Sequence, residues 1–74
     1  DIYVKPEMQG KNLGEKVLRH NTKIAKSQGF KRIDFQDLEW NENAIKFYKK
    51  HGAVVDETER HFKFTGQAFQ NLAS

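Results

Sequence analysis

The sequence contains no cysteine, which excludes disulfide scaffolds, cysteine-ligated zinc sites and thiol nucleophiles together. It also lacks any apolar run near the ~20 residues of a membrane-spanning helix, and its start does not resemble a signal peptide. A cytoplasmic protein with no membrane partner is expected. The spacing of the three histidines, His20, His51 and His61, is not typical of a metal site. No metal is predicted, and no function is assigned to these histidines.

The sequence has little excess of charge of one sign. The chain has thirteen basic and ten acidic residues, which gives a net charge of +3, and the two signs are interleaved along the chain. The longest basic run is only Lys49-Lys50-His51. A nucleic-acid binder of this size would usually concentrate its positive charge on one face. The pattern therefore predicts a mixed, solvated surface and no nucleic-acid partner, although a mild positive balance suits a ligand that carries phosphate.

The chain is short for an independent fold. Its 74 residues, of which 36% are hydrophobic, make at most one small domain over residues 1–74 with a lean core. The chain begins at Asp1, within what reads as the first residues of a strand. We therefore expect a fragment of a longer domain.

Hydrophobic spacing and turn residues predict an alternation of strands and helices. The predicted elements, in order, are a strand over 1–5, a helix over 12–28, a strand over 32–38, a helix over 43–50, short strands over 53–55 and 61–65, and a final helical turn or two over 67–73. Strand–helix–strand at these lengths favours a parallel pair of strands, and the last two strands are expected to form a hairpin. The fold class is α/β, in the order β-α-β-α-β-β.

The first helix is expected to bury one apolar stripe and to end at Gly29, because glycine suits a left-handed C-terminal cap. The residues predicted on this stripe are Leu13, Val17, Leu18, Ile24, Ala25 and Gln28. Asn21 falls on or near the same stripe, where an amide side chain is unexpected.

A glycine-containing turn joins the first strand to the first helix. It reads Gln9-Gly10-Lys11-Asn12-Leu13-Gly14. A strand that runs into such a turn and then a helix can bind phosphate, because the amide groups at a helix start point outward and the helix dipole favours an anion there. The same sequence is also compatible with an ordinary tight turn that binds no phosphate. The turn matches neither a Walker loop nor a dinucleotide fingerprint.

The second half of the chain carries a more specific pattern. It reads Glu39-Trp40-Asn41-Glu42-Asn43-Ala44-Ile45-Lys46-Phe47-Tyr48-Lys49-Lys50-His51-Gly52-Ala53. This segment resembles a signature of the GCN5-related N-acetyltransferase (GNAT) superfamily, and the turn at residues 9–14 is similar to that family's acetyl-coenzyme A (acetyl-CoA) loop. The segments Asp1-Ile2-Tyr3-Val4-x-Pro6-Glu7 and Glu39-Trp40-Asn41-Glu42 look closest to the diamine (spermidine/spermine and thialysine) acetyltransferases. The resemblance implies the C-terminal half of a GNAT fold, with the N-terminal strands and helices missing.

The resemblance also implies the roles of individual residues. Acetyl-CoA would lie between the strands at 1–5 and 32–38, with the Val4 amide polarising the thioester carbonyl and Tyr48 acting as the general acid. The residues expected to bind acetyl-CoA are Ile2, Tyr3, Val4, Gln9, Gly10, Lys11, Asn12, Leu13, Gly14, Glu15, Asn41 and Ala44. The general base is expected upstream of Asp1.

Some positions depart from the family pattern or remain open. Asn12 replaces the middle glycine of the loop and Gln9 its leading basic residue, and asparagine tolerates the left-handed backbone better than most residues. Trp40 either packs beside the cofactor or fills the core. Glu57 or Glu59 either faces a cationic amine or is a plain surface carboxylate.

The resemblance implies an N-acetyltransferase that moves an acetyl group from acetyl-CoA, used as a co-substrate, to a primary amine of a small polyamine-like molecule. A homodimer or a complementing N-terminal segment would complete the fold. Two alternatives stay open: a non-catalytic module that binds coenzyme A or a partner chain, and a small basic nucleic-acid binder, against which the interleaved charges argue.

Overall fold

The computed structural model describes residues 2–4, 14–36 and 39–74. In chain order the elements are β1 (Ile2–Val4), α1 (Glu15–Ser27), β2 (Ile33–Gln36), α2 (Glu42–Lys50), β3 (Val54–Asp56), β4 (His61–Phe64) and α3 (Gly66–Ala73). The predicted α/β order is confirmed, and the last segment forms a complete helix of eight residues. Residues 1, 5–13 and 37–38, at the ends of the predicted strands and in the predicted loop, lie outside the described residues. None of the described helices is long and apolar enough to cross a membrane.

The strands form one mixed sheet of four in the order β1-β2-β4-β3. β1 and β2 are parallel, with Ile2 opposite Ile33 and Val4 opposite Phe35. β4 runs antiparallel to both of its neighbours, so that β3 and β4 form the predicted hairpin and β4 lies between β2 and β3. Both the parallel pair and the hairpin were expected from the sequence, and both are confirmed.

The core lies between the helices and one face of the sheet. Its buried apolar residues among those described are Leu18, Ala25, Ile33, Phe35, Ala44, Tyr48, Phe62, Phe64, Phe69 and Leu72. Aromatic rings fill its centre: Phe62 stacks on Tyr48 with ring centroids 3.8 Å apart and on Phe35 at 5.3 Å. Large aromatic side chains bury much apolar area per residue, which compensates for the small number of core positions in so short a chain.

The buried stripe of α1 differs from the predicted one. Leu18, Thr22 and Ala25 are buried, whereas Ile24 is 41% exposed and Gln28 lies exposed at the C-cap. Thr22 is compatible with burial because its hydroxyl donates to the Leu18 carbonyl at 2.7 Å. The prediction for Ile24 and Gln28 was therefore wrong, because α1 packs through a polar side chain whose hydrogen bond is satisfied within the helix.

The amide of Asn21, near the same stripe, donates to the Val17 carbonyl at 2.9 Å. This bond within the helix removes the cost of placing an amide in a half-buried position. The unexpected asparagine is thus explained by a local contact.

The chain leaves both α1 and α2 through a glycine in the left-handed region, directly after the C-cap residue. Gly29 has φ +88° after α1, and Gly52 has φ +89° after α2. In each case the next residue donates back into the last turn, from the Phe30 amide to the Ala25 carbonyl and from the Ala53 amide to the Tyr48 carbonyl, both at 3.0 Å. This arrangement is the Schellman motif, which satisfies helix carbonyls that would otherwise lack a donor. The predicted end of the first helix at Gly29 is confirmed, and α2 ends at Gly52 in the same way.

Candidate functional site

The parallel pair of strands, β1 and β2, defines the end of the sheet at which a ligand is expected. In open α/β sheets ligands bind beyond the carboxyl ends of the strands, next to the helices that follow them. The last turn of α1 lies close in the chain to the start of β2. The first turn of α1 therefore lies toward the other end of the sheet, where β2 ends. The described residues of the predicted cofactor site lie in β1 or at the starts of the two helices that follow the strands. They are Ile2–Val4 in β1, Gly14 and Glu15 at the start of α1, and Asn41 and Ala44 at the start of α2. Gln9, Gly10, Lys11, Asn12 and Leu13 lie outside the described residues.

The start of α1 is suited to an anion. Gly14 is the N-cap, with extended backbone angles, and no side chain among the described residues caps the first turn. A side-chain carbon placed on Gly14 would touch none of the other described residues within 4 Å. The first amide groups of a helix have no acceptor within the helix, and the dipole gives them positive character. The residues present therefore fit a phosphate group at this position.

Glu15 places a negative charge in that same first turn. Its Oε2 accepts from Nε of Arg19 at 3.0 Å, and its Oε1 lies 3.6 Å from Nε2 of His51. The hydrogen bond from Arg19 lowers the pKa of the Glu15 carboxyl, with smaller contributions from the charges of Arg19, His51 and Lys50 against the opposing effect of burial. The carboxylate is therefore ionised and held along the helix at neutral pH.

Asn41 and Ala44 contact each other at the start of α2. Oδ1 of Asn41 accepts from the Ala44 amide at 2.9 Å, which makes Asn41 the N-cap, and Nδ2 donates to the Glu39 carboxylate. Such a cap stabilises a helix by about 1 kcal/mol. The side chain of Asn41 thus has a structural partner at each end, and its contact with a cofactor stays a prediction.

Tyr48 lies on the inner face of α2 and is only 1% exposed. Its ring stacks on Phe62, and its hydroxyl donates to the backbone carbonyl of Glu39. Burial, with a smaller contribution from the Glu39 charge, raises the pKa of Tyr48 to about 12. The phenol therefore keeps its proton at every physiological pH, so that it can donate a proton but cannot serve as a base in its resting state.

Trp40 joins the core and borders an open cavity. Its ring lies 6.1 Å from that of Tyr48 and 6.3 Å from that of Phe62, which favours the core-filling interpretation. The neighbouring cavity has a volume of about 430 Å³. It is lined by Trp40, Asn41, Glu42, Ile45, Lys46, Lys49 and Glu57. Glu57 and Glu59 are both exposed, and Glu57 alone of the two borders this space.

The sequence did not reveal a buried polar cluster on the other face of the sheet. Asp34 is completely buried; Arg32 donates to it from Nε at 3.0 Å and from Nη2 at 2.8 Å, and Nε2 of His61 lies 3.0 Å from its Oδ2. Burial alone would raise the pKa of the Asp34 carboxyl, but the hydrogen bonds from Arg32 and His61 hold it below the ordinary value. Only the antiparallel register of β2 and β4 brings His61 to Asp34. Across residues 14–36 and 39–74 no group of acidic or histidine side chains could hold a metal ion.

Comparison with known proteins decides the family. The model of the acetyltransferase (GNAT) family matches residues 1–53, well over half of the chain. The chain belongs to the GNAT acetyltransferase family. The matched segment contains all the residues that the sequence predicted for the site, from Ile2 to Tyr48. The resemblance seen in the sequence is thereby confirmed.

Curated GNAT relatives match nearly the whole chain. It is 38% identical to the thialysine N-epsilon-acetyltransferase of Bos taurus over 77 residues, covering 99% of this chain and 45% of the relative. Identity to the mouse (Mus musculus) thialysine N-epsilon-acetyltransferase is 35%, with the same coverage. Identity to the L-ornithine N5-acetyltransferase of Arabidopsis thaliana is 34%, covering 97% of this chain and 32% of the relative. The chain thus spans less than half the length of these relatives. No solved structure matches it significantly.

The GNAT assignment is consistent with the partial fold. The described elements are one parallel pair of strands, one hairpin, α1 and α2 between the strands, and α3 after the last strand. The predicted α/β class, as part of a GNAT fold, is therefore confirmed.

Proposed function

We propose that the protein acts as an N-acetyltransferase that moves an acetyl group from acetyl-CoA to a primary amine at the end of a short aliphatic chain, as in a small polyamine-like substrate. The GNAT family match over residues 1–53 carries this proposal. The names of two relatives, thialysine N-epsilon-acetyltransferase and L-ornithine N5-acetyltransferase, add that thialysine is acetylated on N-epsilon and L-ornithine on N5. Both are side-chain amines, which favours a flexible terminal amine over an aromatic or a buried one.

The start of α1 would hold the phosphate groups of acetyl-CoA. The uncapped first turn at Gly14 and Glu15 supports this role, and we assign the backbone amides of residues 10–15 to the pyrophosphate. The backbone groups of Ile2, Tyr3 and Val4 that are not bonded to β2 would pair with the extended pantetheine arm. Asn41 and Ala44 would contact the cofactor from the start of α2.

The chemistry would be direct transfer. The amine nitrogen attacks the thioester carbonyl carbon, and the Val4 amide donates to the carbonyl oxygen as it becomes negative, an interaction of the kind usually worth a few kcal/mol. The C–S bond then breaks, and the electron pair on sulfur takes the proton of Tyr48. The acetylated nitrogen gives its extra proton to water, and the Tyr48 phenolate regains a proton from water. No covalent acyl-enzyme is needed, in keeping with the absence of cysteine.

The environment of Tyr48 sets a condition on this role. Its hydroxyl donates to the Glu39 carbonyl, so it must turn from that oxygen to reach sulfur. A phenol with a pKa of about 12 is a weaker acid than a thiol, whose ordinary pKa is about 8.5. We therefore expect the proton to move together with C–S cleavage, while negative charge builds on sulfur. Tyr48 should contribute no pH dependence below about pH 11.

An acetyl-transfer assay with L-ornithine, thialysine and spermidine tests the function. We expect release of coenzyme A to depend on the amine, and mass spectrometry to find the acetyl group on a terminal side-chain nitrogen. Release of coenzyme A without an acetylated amine would contradict the proposal. Binding of acetyl-CoA without transfer to any amine would favour a non-catalytic coenzyme A-binding module.

A further inference from the structure

His51 lies where the end of α2 meets the start of α1. It is the C-cap of α2, its side chain is only 12% exposed, and its ring packs edge-on against Phe47 with centroids 4.7 Å apart. Its Nε2 is buried and forms no hydrogen bond with the described residues. That atom lies 3.6 Å from Oε1 of Glu15. A buried ring nitrogen without a hydrogen bond is uncommon and costs free energy unless the group has another use.

Among the described residues, the charged groups around this contact come from α1 and α2. Glu15 and Arg19 face His51 from α1, and Lys50 adds a positive charge from α2 itself. α3 brings only uncharged residues, Ala68, Asn71 and Leu72, to the adjoining cavity of about 300 Å³. Arg19 donates from Nε to Oε2 of Glu15 and from Nη1 to the Asn71 carbonyl. Arg19 thus occupies Oε2 of Glu15, and among the described residues His51 is the neighbour of the other carboxylate oxygen, Oε1.

The geometry favours a proton on Nε2. If Nε2 carried a lone pair, that lone pair would face a carboxylate oxygen at 3.6 Å, and the two would repel. If Nε2 carries a proton, the contact becomes attractive, and it is strongest for the charged imidazolium. Arg19 and His51 then each hold one oxygen of the Glu15 carboxylate.

This arrangement matters because Glu15 competes with a bound phosphate. A carboxylate in the first turn is attracted by the same amide groups and dipole that would bind the anion. The contacts with Arg19 and His51 direct the carboxylate away from those amides and offset its charge. Without His51, the oxygen Oε1 could turn back toward the start of the helix.

We propose that His51 is a positioning residue for acetyl-CoA binding, which restrains and neutralises the Glu15 carboxylate at the phosphate-binding start of α1, most strongly when the imidazole is protonated. The inference rests on the proposed function. It predicts that acetyl-CoA binds more tightly when the His51 imidazole is protonated than when it is neutral.

The test measures the dissociation constant of acetyl-CoA by calorimetry at about pH 6 and pH 8. His51→Gln should weaken binding about fivefold at the lower pH and remove most of the pH dependence, as expected for one partly exposed charge pair. His51→Arg, which keeps the charge, should restore tight binding at both pH values. His20→Gln is the matched control, since His20 lies exposed on α1, and it should leave the wild-type profile unchanged.

The double variant separates positioning from simple packing. Glu15→Gln should abolish the pH dependence, and adding His51→Gln to it should cause no further loss. An equal loss from His51→Gln in both backgrounds, or binding with no pH dependence in the wild type, would overturn the inference alone. A wild type that binds no acetyl-CoA would overturn the proposed function and this inference with it.

A second readout needs no ligand. Nitrogen NMR of the imidazole in the free protein should find a proton on Nε2 of His51, and Glu15→Gln should shift that resonance. A lone pair on Nε2 at pH 6 would contradict the inference whatever the binding data show.

Discussion

Tyr48→Phe is expected to lower kcat for acetyl transfer by about 100-fold or more, with little change in the affinity for acetyl-CoA. The variant keeps the ring that stacks on Phe62 and loses only the hydroxyl that donates to the Glu39 carbonyl. It therefore removes the proposed proton donor while the core stays filled. Steady-state kinetics with a saturating amine, together with calorimetric titration of acetyl-CoA, would separate the two effects.

Loss of the hydroxyl also costs stability, by about 1 kcal/mol for one buried hydrogen bond, and this must be separated from chemistry. Thr22→Val is a matched control, because it removes another buried hydroxyl, bonded to the Leu18 carbonyl, from a residue with no proposed role in the site. We expect a similar or smaller loss of stability and an unchanged kcat for this control. Equal kcat values for Tyr48→Phe and the wild type would show that Tyr48 is not the acid.

Asp34→Asn is expected to lower the free energy of unfolding by about 3 kcal/mol at neutral pH. Arg32 and His61 both bond to the buried carboxylate, so an amide in its place leaves the Arg32 guanidinium facing a neutral group that also carries donors. Removing one partner of a buried charge pair usually costs more than the intact pair contributes. Urea unfolding followed by circular dichroism would measure the loss.

The same variant has a pH signature. The carboxyl of Asp34 has a lowered pKa in the folded protein, so its ionised form favours folding. This contribution is fully present above the pKa of an unfolded aspartate, about 4, and is lost as the pH falls through the lower native value. The difference in stability between the wild type and Asp34→Asn should therefore shrink in acid.

Asp56→Asn provides the control for Asp34. Asp56 is exposed, and its Oδ1 accepts from the amides of Thr58 and Glu59, which an asparagine can also satisfy. We expect a change below about 0.5 kcal/mol. If the two variants lost equal stability, or if the loss at Asp34 did not vary with pH, the ion pair would not be a main source of stability.

Local signals in the sequence predicted most of the fold. Gly29 and Gly52 mark helix ends because each requires a positive φ that other residues avoid. The face of α1 was harder to predict. Thr22 is buried in preference to Ile24 because of a hydrogen bond inside the helix and the packing of α1 against α3. Neither can be predicted from the hydrophobicity of the residues along the chain.

The candidate site was predicted unevenly for a similar reason. Asn41 and Tyr48 lie in one continuous motif, so the resemblance could identify them. The contact of Asp34 with His61 depends on strand register, and that of Glu15 with His51 depends on how two helices meet. Pairs so distant in the sequence leave no local pattern, which is why no function was assigned to the histidines.

The central claim is that this chain binds acetyl-CoA at the starts of α1 and α2. Amide NMR of the protein titrated with acetyl-CoA tests it most directly, because each backbone group reports separately. We expect well-dispersed resonances and shifts centred on residues 10–15 and 41–44. Well-dispersed resonances that do not move, or shifts confined to other parts of the chain, would contradict it.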